Sequence, residues 1–391
     1  MNFYNQYDPL SKFLGCVLGS ACGNALGLPV TGLTACDIRS RFGEVKDFIS
    51  LPPTFPAELH CERGSWAGDI ALLLGTMTAI TEADGTIDVE KIGEEHLVVY
   101  EEGKRGLGRS TRNACRRRRG GRPWKDCGEP WDPVRKSGAG NSVMVKIPAL
   151  GLLQSQARKG LFTFIDEATQ YAMITHLGPP AIVAGVVHAA TIASLVRVPG
   201  PVINIRWFLG DILFQIAFEL ERRLEVEYKL GVCNERISSQ LSKIVNLIDE
   251  HRLKSASIED ISSWFGGGGA YAYDSFGLVY ALFARYLERV SEGDEQGDHP
   301  FDPVLWAVNA GGSTEMNAAI MGSLAGTLHG IDALPVQLIL GVEKSTEIIQ
   351  LTEQFFETCR NRHSSPGLSP EGAEREEQSP NAFFREFRQH F

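Results

Sequence analysis

The side chains in this sequence with chemistry to offer sit beside glycines, at the ends of apolar runs. In Gly64-Ser-Trp-Ala-Gly-Asp-Ile-Ala-Leu-Leu-Leu74 one acid, Asp69, follows a tight turn and opens a helix. A carboxylate there can hold a metal ion or accept from the free N–H groups of a first helical turn. The sequence favours the cap, with the helix beginning at Ile70. Ser137-Gly-Ala-Gly-Asn-Ser-Val-Met-Val-Lys146 is a glycine-rich loop feeding a helix, and its N–H groups and dipole suit phosphate. Gly266-Gly-Gly-Gly-Ala-Tyr-Ala-Tyr-Asp-Ser275 leaves backbone bare for a flat ligand, with Tyr271 and Tyr273 to stack on it; a plain flexible turn has the same composition. Gly311-Gly-Ser-Thr-Glu-Met316 starts a further helix, with Ser313 or Thr314 as its cap and Gly330 as its end.

The elements that must position these residues are helices. Apolar residues recur at helical spacing over 11–26, 69–83, 165–174, 181–196, 206–226, 237–248, 276–290 and 336–356, and strand alternation is sustained almost nowhere. Gly and Pro punctuate the joints, as in Gly27-Leu-Pro29 and Gly178-Pro-Pro180. Gly15, Gly19, Gly23 and Gly27 share one helical face and admit a close neighbour; Gly322 and Gly326 do the same. The expected organisation is one all-α domain over residues 8–360, followed by a tail, 361–391.

Composition narrows the class. The chain has 391 residues, 43% hydrophobic and 22% charged, with formal charge −10, which is ordinary for a soluble protein with a large core. Its most apolar run, 180–198, is alanine-rich and holds His188 and Arg197, so a buried helix is expected rather than a membrane span. No secretory leader is read, and eight scattered cysteines without a CxxC pair imply free thiols in a reducing compartment, hence a cytoplasmic protein. Lys104 to Arg122 holds nine basic residues and no acid. A solvated helix end is the plain reading, and an electropositive wall beside an anionic ligand is the sharper one. Without interleaved aromatics, and on an acidic chain, nucleic acid is a poor partner. The polar, Pro-rich tail is expected to be disordered. It ends in Phe383, Phe384, Phe387 and Phe391 on one helical face, a contact for the domain itself or for a protein partner.

In order and spacing, these stretches resemble the ADP-ribosylglycohydrolase family. Gly23-Asn-Ala-Leu-Gly-Leu-Pro-Val30 is similar to G-D-A-L-G-x-P-V, and Trp66-Ala-Gly-Asp-Ile70 stands where the family has W-T-D-D-T. Gly140-Asn-Ser-Val-Met-Val-Lys146 resembles G-N-G-A-A-M-R, Thr175-His176 matches T-H, and Gly311-Gly-Ser-Thr-Glu-Met316 takes the place of G-G-D-T-D-T. The likeness covers about residues 12–340 and implies a compact orthogonal bundle of many helices. It also implies ADP-ribose or an ADP-ribosylated protein as partner. By resemblance, Gly106, Gly108, Gly140, Asn141 and His176 line the pyrophosphate end. Gly268, Gly269, Tyr271 and Tyr273 lie around adenine and its ribose, and Gly312 is a further ligand-binding position.

Family members hold two Mg²⁺ or Mn²⁺ ions between the two acidic motifs, and Mg²⁺ wants near-octahedral oxygen. Here the matching positions offer only Asp69, Ser313 and Glu315, since Ala67, Gly68 and Met316 bring no side-chain oxygen. Thr31 stands for the glutamate after Pro-Val, and Asn24 for an aspartate. Glu58 and Glu62, in the loop before Trp66, are the acids placed to substitute. The expectation is no cofactor, or one weakly held Mg²⁺ if the site is rebuilt. The leading functional reading is a catalytically impaired relative that binds ADP-ribose or a related nucleotide. Its alternatives are a hydrolase using Asp69 and Glu315 as acid and base, and a scaffold acting through the phenylalanine tail.

Overall fold

In a computed structural model of the chain, residues 8–50, 62–157, 160–200, 203–231, 233–291 and 298–361 are described. Helices follow one another from Pro9–Gly27 to Ser345–Asn361, and the β-pairing among the described residues is limited to isolated bridges between loops. The all-α expectation holds.

The Pro9–Gly27 helix is buried from Ser11 to its end, and runs antiparallel along Thr314–His329 with backbone against backbone. A Cβ added to Gly19 would lie 2.3 Å from the Gly322 carbonyl oxygen, and one added to Gly326 would lie 1.9 Å from that of Gly15. The same seam continues to Gly27, where a Cβ would meet the Thr314 carbonyl oxygen at 2.4 Å. Glycine every fourth residue on both helices is therefore a packing device, as its spacing predicts. It sets the end of the first helix beside the start of the second, which brings Thr31 to Glu315.

The second apolar helix, Pro179–Arg197, is buried from Pro179 to Val196 and forms a central core rod, as expected. Pro148–Gln156 packs on it so closely that a Cβ on Gly151 would sit 2.4 Å from the Ala189 carbonyl oxygen.

Two expected helices are interrupted. The 206–226 run becomes Ile205–Trp207, a π-helical turn Phe208–Leu213 and Phe214–Val226. The 336–356 run splits into Val336–Gly341 and Ser345–Asn361, with Lys344 at φ 56° between them. The break frees Glu343 for other work: its N–H donates to the Gly64 carbonyl at 2.9 Å and its carbonyl accepts from Trp66 Nε1 at 2.9 Å. The tail expectation falls on residues 362–391, outside the described residues, apart from Asn361, which closes the last helix.

Candidate ligand site at the helix-boundary loops

The glycine-marked loops are laced to one another through their backbones. Gly32 N–H donates to the Gly312 carbonyl at 2.8 Å and Gly312 N–H to that of Leu33 at 2.9 Å. Ser313 N–H reaches the Gly268 carbonyl at 2.9 Å, which also accepts from Asn317 Nδ2 at 2.7 Å. Asn141 N–H donates to Ala270 at 3.0 Å, Ala272 N–H to Ala139 at 2.9 Å, and Glu129 N–H to Thr175 at 2.9 Å. Gly312 needs its lack of a side chain: it sits at φ 79°, and a Cβ would fall 2.2 Å from the Gly267 carbonyl oxygen.

The turn bearing Asp69 is tied in separately. Gly68 N–H donates to the Arg105 carbonyl at 2.5 Å, and Arg105 Nη1 to Glu343 Oε2 at 3.0 Å. Gly106, at φ 73°, would set a Cβ 3.0 Å from that of Ala67, and Gly108 one 3.8 Å from Ser142 Oγ. Asn24 clamps the assembly. Its Oδ1 accepts from Ala67 N–H at 2.7 Å while its Nδ2 donates to the Glu315 carbonyl at 3.3 Å. A carboxylate could only accept, so the amide suits this double role.

The structure overturns the cap expected of Asp69. The helix begins two residues earlier, at Gly68 behind an extended Ala67 (φ −84°, ψ 163°), so Asp69 lies inside the first turn. It is fully buried, and neither carboxylate oxygen has a hydrogen-bond partner. Burial pushes its pKa up to about 7, with Lys146 opposing the rise and Glu315 adding to it. Glu315 retains some solvent contact, and burial raises its pKa too. Its Oε2 takes the Thr31 hydroxyl, and its Oε1 lies 3.5 Å from Ser313 Oγ. Neither Ser313 nor Thr314 caps through its side chain: Ser313 Oγ turns to Glu315, and Thr314 Oγ1 donates to the Gly27 carbonyl at 2.7 Å.

Lys146 is the residue that reading the sequence underrates. It ends the glycine-loop motif yet is fully buried, and burial lowers its pKa to about 8 while Asp69 pulls the other way. The signal was a lone lysine in the apolar run Val-Met-Val-Lys-Ile-Pro-Ala-Leu. Its Nζ donates to Thr175 Oγ1 at 2.6 Å, and Thr175 Oγ1 lies 2.8 Å from His176 Nδ1. The hydroxyl accepts from Lys146 and has one proton to give, an arrangement compatible with donation to Nδ1 and an Nε2–H ring. His176 Nε2 faces Ser142 Oγ at 3.5 Å, and burial with the Lys146 charge keeps the ring neutral. Behind Lys146, Tyr171 OH donates to its carbonyl at 2.8 Å and meets Thr76 Oγ1 at 3.0 Å, which in turn meets His96 Nε2 at 3.1 Å.

The remaining expected positions divide. Gly140, Asn141, His176 and Gly312 meet in the laced loops. Asn141, 3% exposed, spends its Nδ2 on Ser275 Oγ at 3.3 Å, so it braces the loop. Gly268 is not bare: a Cβ there would strike Leu278 at 2.2 Å, whereas Gly269 faces open space. Tyr271 is not free to stack. Its hydroxyl donates to Glu235 Oε2 at 2.7 Å, Trp131 stacks on its ring at 6.5 Å, and Lys136 Nζ sits 4.1 Å from the ring centre. Tyr273 keeps partial exposure. Glu62 is exposed, and Glu58 lies outside the described residues.

Among the described residues no three His, Cys, Asp or Glu side chains gather as a metal ion would need. Asp69 has unpartnered oxygens to offer, but Glu315 is engaged by two hydroxyls, and the Lys146 ammonium acts on the same centre. This donor set does not fit a pair of hard cations.

Comparison with known proteins bears on the whole arrangement. The sequence matches the ADP-ribosylglycohydrolase family over residues 5–365. It is 21% identical over 359 residues to ADP-ribosylhydrolase ARH3 of Bos taurus, covering 89% of this chain and 94% of that protein. It is 23% identical over 359 residues to ADP-ribosylarginine hydrolase Tri1 of Serratia proteamaculans, covering 90% and 80%. A solved structure described as an ADP-ribosylglycohydrolase-related protein complex aligns with TM-score 0.61 at 22% identity, over 90% of this chain and 99% of that one. That likeness establishes a shared fold.

Proposed function

The chain belongs to the ADP-ribosylglycohydrolase family, and from that premise we propose that it binds the ADP-ribosyl group at the laced loops and is impaired in hydrolysing it. The observation that carries this reading is the state of the two carboxylates. Asp69 is buried without a partner beside a buried lysine, and Glu315 is held by Thr31 and Ser313. The loops, by contrast, are fixed by their own hydrogen bonds and offer Gly108, Gly140 and Gly269 to a ligand. If a cation binds, it is a single Mg²⁺ weakly held by Asp69, Ser313 and Glu315.

One observation favours a second reading, an active hydrolase. Both Asp69 and Glu315 have pKa values raised by burial, with Glu315 adding to the rise at Asp69, and a carboxyl kept protonated near neutral pH is what a general acid requires. A protein carrying arginine- or serine-linked ADP-ribose separates the two. Impairment predicts ADP-ribose binding with release no faster than in a protein-free control. Steady turnover that is lost in Asp69→Asn or Glu315→Gln, with the fold intact by circular dichroism, would establish the hydrolase instead.

A further inference from the structure

The arginines of the Arg109–Arg119 helix meet different fates. Toward the Val89–Glu101 helix and Glu129 the arginines are paired: Arg118 with Glu94 at 2.5 Å, Arg117 with Glu129 at 2.5 Å and Arg119 with Glu101 at 3.7 Å. Arg109, Arg112 and Arg116 lie along one exposed face, at whose end Arg119 also stands, and these three form no ion pair among the described residues. Arg116 reaches only Asn113 Oδ1, at 3.4 Å.

Arg116 falls in the last turn, where the helix dipole favours a cation, but helix stability does not account for Arg109 and Arg112. Arg109 and Arg112 fall in or just after the first turn, where the helix dipole favours acids, and that turn contains none. Arg112 and Arg116, four apart, repel each other. The helix also starts at the candidate site, since its N-cap Gly108 adjoins Ser142 and the preceding Arg105 holds the Asp69 turn.

We propose that Arg109, Arg112 and Arg116 form a docking stripe for an extended acidic segment of the protein that carries the ADP-ribosyl group, an assignment that rests on the binding function above. At about 1.5 Å rise per residue the three lie about 4.5 and 6 Å apart along the helix axis. Alternate side chains of an extended peptide are about 6.6 Å apart, close to the Arg112–Arg116 step, and the long Arg109 side chain spans the shorter step. The helix sequence Arg-Ser-Thr-Arg-Asn-Ala-Cys-Arg-Arg-Arg-Arg has no aromatic residue, so a chain of nucleotides finds no stacking platform on it. On a protein of net charge −10 the stripe also directs where an acidic partner can approach.

The test is fluorescence anisotropy of labelled hexaglutamate with the full chain at low and near-physiological salt, beside a separate titration of ADP-ribose. Hexaglutamate should bind at low salt and weaken about tenfold as salt screens the contact. The variant R109E/R112E/R116E should lose at least about tenfold in hexaglutamate affinity and keep its ADP-ribose affinity. Should that variant fail to fold, Arg112→Gln alone should cost about threefold. Equal binding by a folded variant, no binding by the wild type at low salt, or stronger competition from an ADP-ribose oligomer than from unlabelled hexaglutamate would each overturn the stripe. Hexaglutamate binding without ADP-ribose binding would support the stripe as an acidic-peptide surface while refuting the binding function it was joined to.

Discussion

The glycine seam and the carboxylate centre lie a few residues apart and follow opposite rules. Along the Pro9–Gly27 and Thr314–His329 helices, backbone meets backbone, and the close approach leaves no room even for a methyl group. At the centre, Asp69 is enclosed with no partner for either oxygen, and a buried lysine sits in its field. The first region is complete in itself. The second carries a cost in stability that the first must offset, and such costs collect where a protein handles a ligand.

Four substitutions break or sharpen that contrast. Gly322→Val should be the most damaging, since its Cβ alone would lie 2.0 Å from the Gly19 carbonyl oxygen. Forcing the helices apart should cost about 3 kcal/mol or more in urea unfolding. Asp69→Asn should act in the opposite direction. The folded pKa of Asp69, about 7, lies above its ordinary value of 3.8, so the folded state binds the proton more tightly than the unfolded chain. Wild-type stability should therefore fall as pH rises from about 4 to about 7 through this group, and remain reduced above that. Asp69→Asn should match the wild type near pH 4 and exceed it at pH 8 by up to about 4 kcal/mol, less the lost attraction between the carboxylate and Lys146, read from paired denaturation curves. A variant less stable than the wild type at pH 8 would show that the carboxylate is compensated after all.

Asn24→Asp restores a family acid at the junction of the two regions. It removes the donor to the Glu315 carbonyl and brings a like charge to Glu315, so a loss of about 1.5 kcal/mol is expected at neutral pH. Tyr271→Phe should have the smallest effect, about 1 kcal/mol for the bond to Glu235, with ADP-ribose affinity unchanged because the ring is already walled in.

The same contrast explains what could be read from the sequence. The seam is a local pattern: glycine at every fourth residue, with Gly330 closing the second helix at φ 81°. Burial of Pro179–Arg197 followed from its composition. The family order placed Asp69, Gly140, His176 and Glu315 among the site residues, and the structure brings their loops together. What escaped were roles that depend on distant segments. Asn24 joins partners 43 and 291 residues away, and its exchange for an aspartate looked like a loss when it supplies a two-way clamp. The split of the 336–356 run depends on Gly64, Trp66 and Arg105 all engaging Glu343, which no periodicity reveals. The cap assigned to Asp69 failed by two residues, because the helix starts at Gly68 and carries the carboxylate into the core.

The central claim is that this chain holds the ADP-ribosyl group without a pair of metal ions, and calorimetric titration of ADP-ribose in EDTA and again in Mg²⁺ tests it most directly. The account predicts binding in EDTA, with Mg²⁺ changing the affinity by no more than about threefold, or about 0.7 kcal/mol. Binding that appears only with Mg²⁺ would contradict it, and would mean that Asp69 and Glu315 rebuild a working metal centre.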